Sequence, residues 1–339
     1  MITTILGIET SCDDTAAAIV ENGYIISNKI ADQEVHRSFG GVIPELASRA
    51  HQQNIIPVVE QAIAEAGKTK KDINAIAFTR GPGLIGALLV GTSFAKGLSL
   101  ALNIPLIEIN HLQAHILSNF IIKKNEQKSI PKFPFLCLLV SGGHTQLVVV
   151  RDFLEMEIIG QTLDDAAGEA FDKCAKVLGL PYPGGPFIDE YAKKGEPDTF
   201  HFSKPDIKDY DFSFSGLKTA FLYFIRDKIN EDKCFIKNNL NNICASIQNS
   251  IIDILLDKLI KVSIEKDLKE IAIAGGVSAN SELRQRVFSE GKKRNWKVYI
   301  PDFEYSTDNA AMIAITGYYK YLNNEYTNQY ITPVARLKI

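Results

Sequence analysis

The order of apolar and polar positions predicts short strands that alternate with amphipathic helices along the chain. In the first third, apolar runs at hairpin spacing predict three consecutive strands, and alternating helices and strands follow them. The predicted strands cover residues 4–9, 16–20, 24–31, 73–79 and 105–109, and the predicted helices cover residues 44–66, 84–102 and 111–120. This succession predicts an α/β lobe.

The same succession returns about 130 residues further along, a period too long for a solenoid repeat. Its strands are predicted at residues 135–140, 146–150, 157–161, 270–274 and 296–300, and its helices at residues 280–293 and 308–323. A mostly helical insert, residues 164–267, interrupts the second copy and ends in a helix whose isoleucines have core spacing. We expect two α/β lobes facing across a cleft, residues 1–132 and 133–339, with the final helix free to pack back on the first lobe.

Composition and charge fit an ordinary globular protein and exclude some kinds of function. Of the 339 residues, 46% are hydrophobic and 23% are charged, and the formal net charge is −3. Such a chain has no bulk attraction to nucleic acid, so RNA binding needs local basic patches or a partner. Five scattered cysteines, none in a CxxC pair, indicate a reducing cytoplasm. We expect no membrane span and no targeting segment, and hence a cytoplasmic protein.

His111 and His115 are the first candidates for chemistry. They are four residues apart on a predicted helix, so both imidazoles project from one face and can share a cation. A zinc peptidase of the H-E-x-x-H type would carry its glutamate base at the position that Leu112 occupies. The pair therefore predicts a metal site that is not a peptidase of that type, or else two partly exposed histidines of an ordinary helix.

Three turns at strand ends offer free backbone amides or carboxylates. Ser141, Gly142 and Gly143 follow an apolar strand, where glycine lets the main chain approach an anionic ligand. Residues 275–280 bring another pair of glycines directly before a helix N-terminus, which favours phosphate. Asp13 and its neighbour Asp14 occupy the corresponding first turn. Each could be an ordinary tight turn, but three in a duplicated fold predict a nucleotide cleft.

These features resemble the actin–sugar kinase–Hsp70 superfamily and, within it, the bacterial tRNA adenosine threonylcarbamoyltransferase family over nearly the whole chain. The resemblance rests on motifs at residues 7–15, 44–49, 81–84, 111–115, 139–145, 164–173, 182–186, 213–218, 275–280 and 308–309. Two positions depart from the family pattern. Asp14 stands where glutamate is usual, and Gln113-Ala114 stand where Glu-Gly separates the histidines. Neither change removes a residue to which the resemblance assigns a role.

The resemblance implies a metal site and an adenylate site. His111, His115 and Asp308 would hold one divalent metal ion, iron(II) by family analogy, with zinc as the alternative. The donor substrate would be threonylcarbamoyl-adenylate. Its nucleotide part would lie against Leu139, Val140, Ser141, Gly142, Gly143, Asp172, Gly185, Asp189 and Asn280. Asp13 would orient or deprotonate the attacking amine, unless it only caps its turn.

The acceptor implied is the exocyclic amine of the adenosine 3′ of the anticodon, in tRNAs that read codons beginning with A. The family also implies two partners, a paralogous non-catalytic subunit and a small ATPase. Lys123 and Lys124, expected at the end of the histidine helix about 15 Å from its start, are the favoured tRNA contacts. Alternatives from the same superfamily are a metal-dependent peptidase, a nucleotide-binding ATPase or kinase, and a non-catalytic scaffold subunit.

Overall fold

The computed structural model describes residues 2–31, 41–205 and 207–339, and the chain divides into two compact units. Unit 1 comprises Met1–Pro131, Arg151–Met156 and Pro301–Ile339, and unit 2 comprises Lys132–Val150 and Glu157–Ile300. The final helix therefore folds within unit 1, although it follows the whole of unit 2 in the sequence.

The helices and strands follow the predicted succession closely. The strands are β1 (Thr4–Glu9), β2 (Thr15–Glu21), β3 (Tyr24–Ala31), β4 (Ala75–Gly81), β5 (Leu106–Asn110), β6 (Ile122–Lys123), β7 (Phe135–Val140), β8 (Thr145–Asp152), β9 (Glu155–Gln161), β10 (Glu270–Ala274) and β11 (Lys297–Tyr299). The helices are α1 (Pro44–Glu65), α2 (Ile85–Leu102), α3 (His111–Leu117), α4 (Ala167–Val177), α5 (Gly184–Ala192), α6 (Ser215–Glu231), α7 (Phe235–Glu265), α8 (Ser281–Arg294) and α9 (Ala310–Leu322).

The two sheets repeat one strand order, which confirms the predicted duplication. The sheet of unit 1 runs β5-β4-β1-β2-β3-β6, and the second sheet runs β11-β10-β7-β8-β9. In both, a central strand pairs antiparallel with the next strand in sequence and parallel with a later one: β1 with β2 and β4, β7 with β8 and β10. The short edge strand β6, which pairs with β3, was not predicted.

Small residues let helix α9 lie unusually close to the sheet of unit 1. A Cβ on Gly7 of β1 would lie 2.6 Å from the backbone nitrogen of Ala314, and one on Gly317 would lie 2.4 Å from Cβ of Ala77. Alternate residues of β1 point to opposite faces of the sheet, so Ile5 packs with α9, whereas Leu6 packs on the face covered by α1. The sheet is therefore buried on both faces, and its central strand reads as a continuous apolar run.

Helix α2 corrects the expectation that no stretch is long enough to span a membrane. Its 18 residues are long and apolar enough to do so by length and composition alone. The same is true of many core helices in soluble proteins. Helix α2 packs against α1 and β4 within unit 1, and Gly91 lies so close to Thr10 that a Cβ would be 2.2 Å from its hydroxyl oxygen.

The predicted helical insert forms helices α4 to α7 of unit 2. The 31-residue helix α7 passes through the middle of the unit's core. The five apolar residues predicted to form its buried stripe are all buried: Ile243, Ile247, Ile251, Ile254 and Leu255. Helices α4, α5 and α6 pack around α7, so the insert supplies most of the core of unit 2.

Candidate functional site

The histidine helix α3 begins directly at the end of β5. Asn110 caps it, because its side-chain Oδ1 accepts hydrogen bonds from the backbone nitrogens of Leu112 (2.9 Å) and Gln113 (3.3 Å). Capping at this point starts the helix at His111, so both imidazoles project from one face, as predicted. Both are buried, with 8% of His111 and 1% of His115 exposed.

Asp308 joins the two histidines from the segment just before α9. Its Oδ1 lies 3.1 Å from Nε2 of His115 and 3.4 Å from Nε2 of His111, and the two Nε2 atoms lie 3.1 Å apart. Among the described residues these three form the group able to hold a metal ion. The structure thus brings together residues 111, 115 and 308, which the sequence places almost two hundred residues apart.

The triangle of donor atoms has the dimensions of one face of a metal coordination shell. Zinc lies about 2.0–2.1 Å from histidine nitrogen, and two donors at that distance with angles of 90–109° are roughly 2.8–3.4 Å apart. The three observed separations of 3.1, 3.1 and 3.4 Å fall in that range. Two histidines and one carboxylate on one face also match non-haem iron(II) sites, which keep open positions for other ligands.

A fourth residue, Glu9 at the end of β1, completes this cluster. Its carboxylate is fully buried, and Oε2 lies 3.1 Å from Nδ1 of His111. It also accepts hydrogen bonds from the Thr79 hydroxyl (2.6 Å) and from the backbone nitrogen of Ser11. The sequence alone indicated no role for Glu9. The available signal was a charged residue closing an apolar strand, since a carboxylate is rarely buried without a partner.

Charges within the cluster offset one another. Burial alone would lower the pKa of His111, but the carboxylates of Glu9 and Asp308 raise it to about 10. Burial raises the pKa of Asp308, and the histidines more than reverse that, so the pKa of Asp308 lies below its usual value. Burial and the charge of His111 lower the pKa of His115. Two carboxylates and one protonated histidine leave a charge of about −1, and a divalent ion replacing that proton would make the cluster neutral.

Asp13 lies in the turn between β1 and β2, where it is partly exposed. Helix α1 holds this turn through the buried His51, whose Nδ1 lies 2.7 Å from the Thr15 hydroxyl and whose Nε2 lies 3.1 Å from the Cys12 carbonyl oxygen. The stretch 44–49 was recognised as a family motif, but the role of the histidine just after it was missed. No periodicity distinguishes His51 from an ordinary helical histidine.

The glycine turn between β7 and β8 has the predicted open form. The backbone nitrogen of Ser141 donates to the His144 carbonyl (2.8 Å), and the Ser141 hydroxyl accepts from the His144 nitrogen (3.1 Å). Gly142 and Gly143 are exposed, and a Cβ on either would meet nothing within 4 Å. Leu139 and Val140 are fully buried in β7, so their side chains belong to the core and not to a ligand surface.

The other predicted adenylate residues lie in unit 2 on three helices: Asp172 on α4, Gly185 and Asp189 on α5, and Asn280 at the start of α8. Asp172 accepts from the backbone nitrogens of Gly184 (2.7 Å) and Gly185 (3.4 Å), and burial raises its pKa despite these bonds. One turn along α5, Asp189 accepts from the hydroxyl of Ser281 (2.8 Å). Asn280 caps α8 and donates to the side-chain oxygen of Gln248 (2.7 Å). Each of residues 172, 185, 189 and 280 thus takes part in at least one internal hydrogen bond.

Lys123 and Lys124 were expected to end the histidine helix, and this prediction is wrong. Helix α3 ends at Leu117, and Lys123 lies in β6, where it forms a 2.6 Å ion pair with Glu304. The two lysines line an open cavity of about 420 Å³ in unit 1. The helix on which the expected distance was based therefore does not reach the lysines, although both are exposed.

The chain matches a family model described as tRNA N6-adenosine threonylcarbamoyltransferase over residues 24–315. Curated proteins of that name are similar over almost their whole length. The protein of Porphyromonas gingivalis is 58% identical over 99% of this chain and 98% of its own. That of Christiangramia forsetii is 60% identical over 98% of each.

Solved structures share the fold at low sequence identity. Component A of the (R)-2-hydroxyglutaryl-CoA dehydratase of Acidaminococcus fermentans has a TM-score of 0.53 at 14% identity, covering 94% of this chain and 98% of that one. HypF of T. kodakarensis has a TM-score of 0.61 at 14% identity, covering 97% of this chain and 49% of its own. At such identities these likenesses concern the fold alone.

Proposed function

We propose that this chain, which belongs to the tRNA N6-adenosine threonylcarbamoyltransferase family, performs its transfer reaction with a metal ion held by His111, His115 and Asp308. The family model and full-length relatives well above half identical establish the membership. The activity is therefore that of an acyltransferase in tRNA modification. What the relatives' names leave open is which residues of this chain serve the reaction.

The observation that carries the metal proposal is the triangle of donor atoms, with edges of 3.1, 3.1 and 3.4 Å. Iron(II) is the ion proposed, because a face of two histidines and one carboxylate suits it and leaves positions open for substrate. Zinc accepts the same donors and stays the alternative. When bound, either ion supplies a Lewis acid that polarises substrate oxygens.

Glu9 serves this site without touching the metal. Its carboxylate accepts the Nδ1 hydrogen of His111, so the Nε2 lone pair is directed toward the triangle. The Nδ1 of His115 is also buried but has no hydrogen-bond partner among the described residues, so His111 is the histidine whose tautomer a neighbouring carboxylate fixes. We infer that Glu9 selects the histidine tautomer that the metal needs.

Unit 2 supplies the adenylate site in this proposal. The open turn at Gly142 and Gly143 lets the main chain approach the phosphate, because a Cβ built on either glycine would meet nothing within 4 Å. Asp172 and Asp189 suit ribose hydroxyls, and Asn280 suits a base edge or hydroxyl. Ligand binding would replace some of the internal hydrogen bonds these side chains now make. Leu139 and Val140 would contribute only through the main chain.

The reaction forms a bond between the exocyclic nitrogen of adenosine and the carbamoyl carbon of the donor. The bond from that carbon to the phosphate oxygen breaks, AMP leaves, and the nitrogen loses one proton. An aromatic amine is a weak nucleophile, so the reaction needs a group that orients it and a group that takes its proton. We assign these tasks to Asp13, whose turn is held by His51 and is partly open to solvent.

Macromolecular contacts are proposed from the family alone. The acceptor is tRNA, with the adenosine 3′ of the anticodon in tRNAs for codons beginning with A as the target. A paralogous non-catalytic subunit and a small ATPase are the expected partners, and the cytoplasm is the expected compartment. Exposed Lys124 is the first candidate for a tRNA phosphate contact, since Lys123 is already paired with Glu304.

Mass analysis of tRNA nucleosides tests the function in the cell. Depleting the protein should lower threonylcarbamoyladenosine, and restoring the wild-type chain should return it. The His111→Ala/His115→Ala variant, present at the same level, should not restore it. An unchanged nucleoside content on depletion would reject the function, whereas full restoration by the double variant would reject only the metal site.

A further inference from the structure

We propose that Asn110 is a positioning residue that ties residues 332–338, here called the strap, to the start of the histidine helix α3. The strap thereby fixes the orientation of the metal ligands. This inference rests on the proposed metal site and concerns residues outside it. Asn110 touches neither the triangle of donor atoms nor a substrate group.

The strap crosses the carboxyl ends of β4 and β5 through a series of main-chain contacts. The Val334 nitrogen donates to the Arg80 carbonyl (2.9 Å), and the Gly83 nitrogen donates to the Ala335 carbonyl (3.1 Å). The Arg80 side chain donates back to the Thr332 carbonyl (3.1 Å). The strap also reaches Asn110, the residue directly before His111, at the carboxyl end of β5.

Gly81 shows how closely the strap approaches. A Cβ at this position would lie 1.9 Å from the Val334 carbonyl oxygen, well inside any contact distance. This explains the first glycine of the motif at residues 81–84, to which the sequence analysis could assign no physical reason. Glycine here makes room for the strap and not for a ligand.

One side chain, that of Asn110, connects the strap to the histidine helix α3. The Asn110 oxygen caps α3 through the Leu112 and Gln113 nitrogens, and its Nδ2 donates to the Lys338 carbonyl (2.8 Å). Asn110 is 8% exposed, so both halves of the amide are held away from competing water. The position of the first turn of α3, and hence of His111, follows the position of the strap.

A second route reaches the same histidine. The loop that contacts Ala335 through Gly83 continues to Leu84, whose nitrogen donates to the Ser11 carbonyl (2.7 Å). The Ser11 nitrogen in turn donates to the carboxylate of Glu9, the partner of His111 Nδ1. The strap therefore supports His111 from the helix side and from the carboxylate side.

Asn110→Asp separates the two roles of this side chain. The aspartate keeps an oxygen for the helix cap, and its charge suits a helix N-terminus, but it replaces the donor to Lys338 with an acceptor. In the full-length protein we expect the dissociation constant for Co²⁺ to rise about tenfold, as for other supports of metal ligands. The visible absorption band of bound Co²⁺ should shift, and the peptide spanning the strap should exchange amide hydrogens faster.

Gly81→Ala provides a second variant that displaces the strap at Val334 and keeps the Asn110 side chain, although Gly81 and Asn110 are paired between β4 and β5. It should change Co²⁺ affinity, the absorption band and hydrogen exchange in the same direction. Lys338→Ala is the matched control, because only the backbone carbonyl of that residue takes part, and it should behave as wild type. His115→Ala serves as the reference for a protein that has lost metal binding.

The possible outcomes distinguish a failure of the proposed metal site from a failure of the proposed role of the strap. If wild type binds Co²⁺ no better than His115→Ala, the proposed metal site fails. If wild type binds but Asn110→Asp leaves strap exchange unchanged, the tie through Asn110 is wrong. If exchange rises in both variants while Co²⁺ affinity and spectrum stay at wild-type values, the strap does not position the ligands.

Discussion

Glu9 Oε2 lies 3.1 Å from His111 Nδ1, and this contact joins a strand of the sheet to the histidine helix. Because the carboxylate takes the Nδ1 hydrogen, Nε2 is left facing His115 and Asp308, which lie 3.1 and 3.4 Å from it. Histidine ligands of metals usually have such a partner on the second ring nitrogen, and it fixes both tautomer and ring orientation. Glu9 on strand β1 thus sets the tautomer and ring orientation of His111 on helix α3.

Glu9→Gln should weaken metal binding without unfolding unit 1. Glutamine has the same shape and keeps one acceptor oxygen, but it loses the charge and places a donor among groups that already donate to Glu9. We expect metal affinity to fall about 10- to 100-fold, the usual effect of removing such a partner. Calorimetric titration with Co²⁺ measures it. Thr79→Ser keeps the hydroxyl beside Glu9 and should match wild type, and equal affinity in Glu9→Gln would contradict the assigned role.

His111→Ala, His115→Ala and Asp308→Ala should each lower metal content and abolish transfer while the fold survives. The reason is that each removes one of the three donors that lie near 3 Å from one another among the described residues. Metal analysis of the purified variants and circular dichroism measure the two expectations. Gln113→Ala, on the same helix between the two histidines, is the control. Full metal occupancy in the double histidine variant would remove the site.

Gly143→Val should weaken adenylate binding specifically. A Cβ on Gly143 meets nothing within 4 Å, so the fold has room for the side chain and any loss reports on the bound ligand. Amide contacts to a charged group are worth about 1.5–3 kcal/mol each, so the dissociation constant should rise by roughly tenfold or more. Calorimetry with a non-hydrolysable adenylate measures it. Gly97→Val is the matched control, since its Cβ is equally unobstructed and lies on α2.

Lys124→Glu should weaken tRNA binding and make its dependence on salt shallower. One lost phosphate contact lowers the slope of log affinity against log salt by roughly 0.7–0.9. Lys123 is left unchanged, because glutamate there would face Glu304 and disturb the fold. Filter binding at several salt concentrations measures the slope, with exposed Lys71→Glu as the control. Identical slopes in the two variants would place tRNA elsewhere.

Asp164→Asn should destabilise unit 2 near neutral pH and have less effect in acid. Partial burial raises the pKa of Asp164, but hydrogen bonds from Ser213, Ser215 and the Phe214 nitrogen outweigh it and lower the pKa below the usual value. The stabilisation is therefore complete above the unfolded pKa of about 3.9 and is lost as pH falls through the lower folded value. Thermal unfolding from pH 7 to 3 measures the converging curves, with exposed Asp198→Asn as the control.

The sequence predicted the α/β duplication and most element bounds because apolar periodicity records which face of each strand is buried. It did not predict β6, two residues long, or the end of α3, because neither leaves a periodic signal. The histidine pair was visible from its spacing, and Asp308 only from the family resemblance. Glu9, His51 and Asn110 were missed, since each acts through a partner distant in sequence and only the folded chain brings the two together.

Helix α9, which closes the sheet of unit 1 and follows directly after Asp308, has a consequence for synthesis on the ribosome. The strands of unit 1 emerge first, yet one face of their sheet stays uncovered while all of unit 2 is translated. At ordinary elongation rates of about 5–20 residues per second, that interval lasts on the order of ten to thirty seconds. The nascent chain must be shielded from aggregation during this time, and the proposed metal site, which includes Asp308, would be complete only when translation is almost finished.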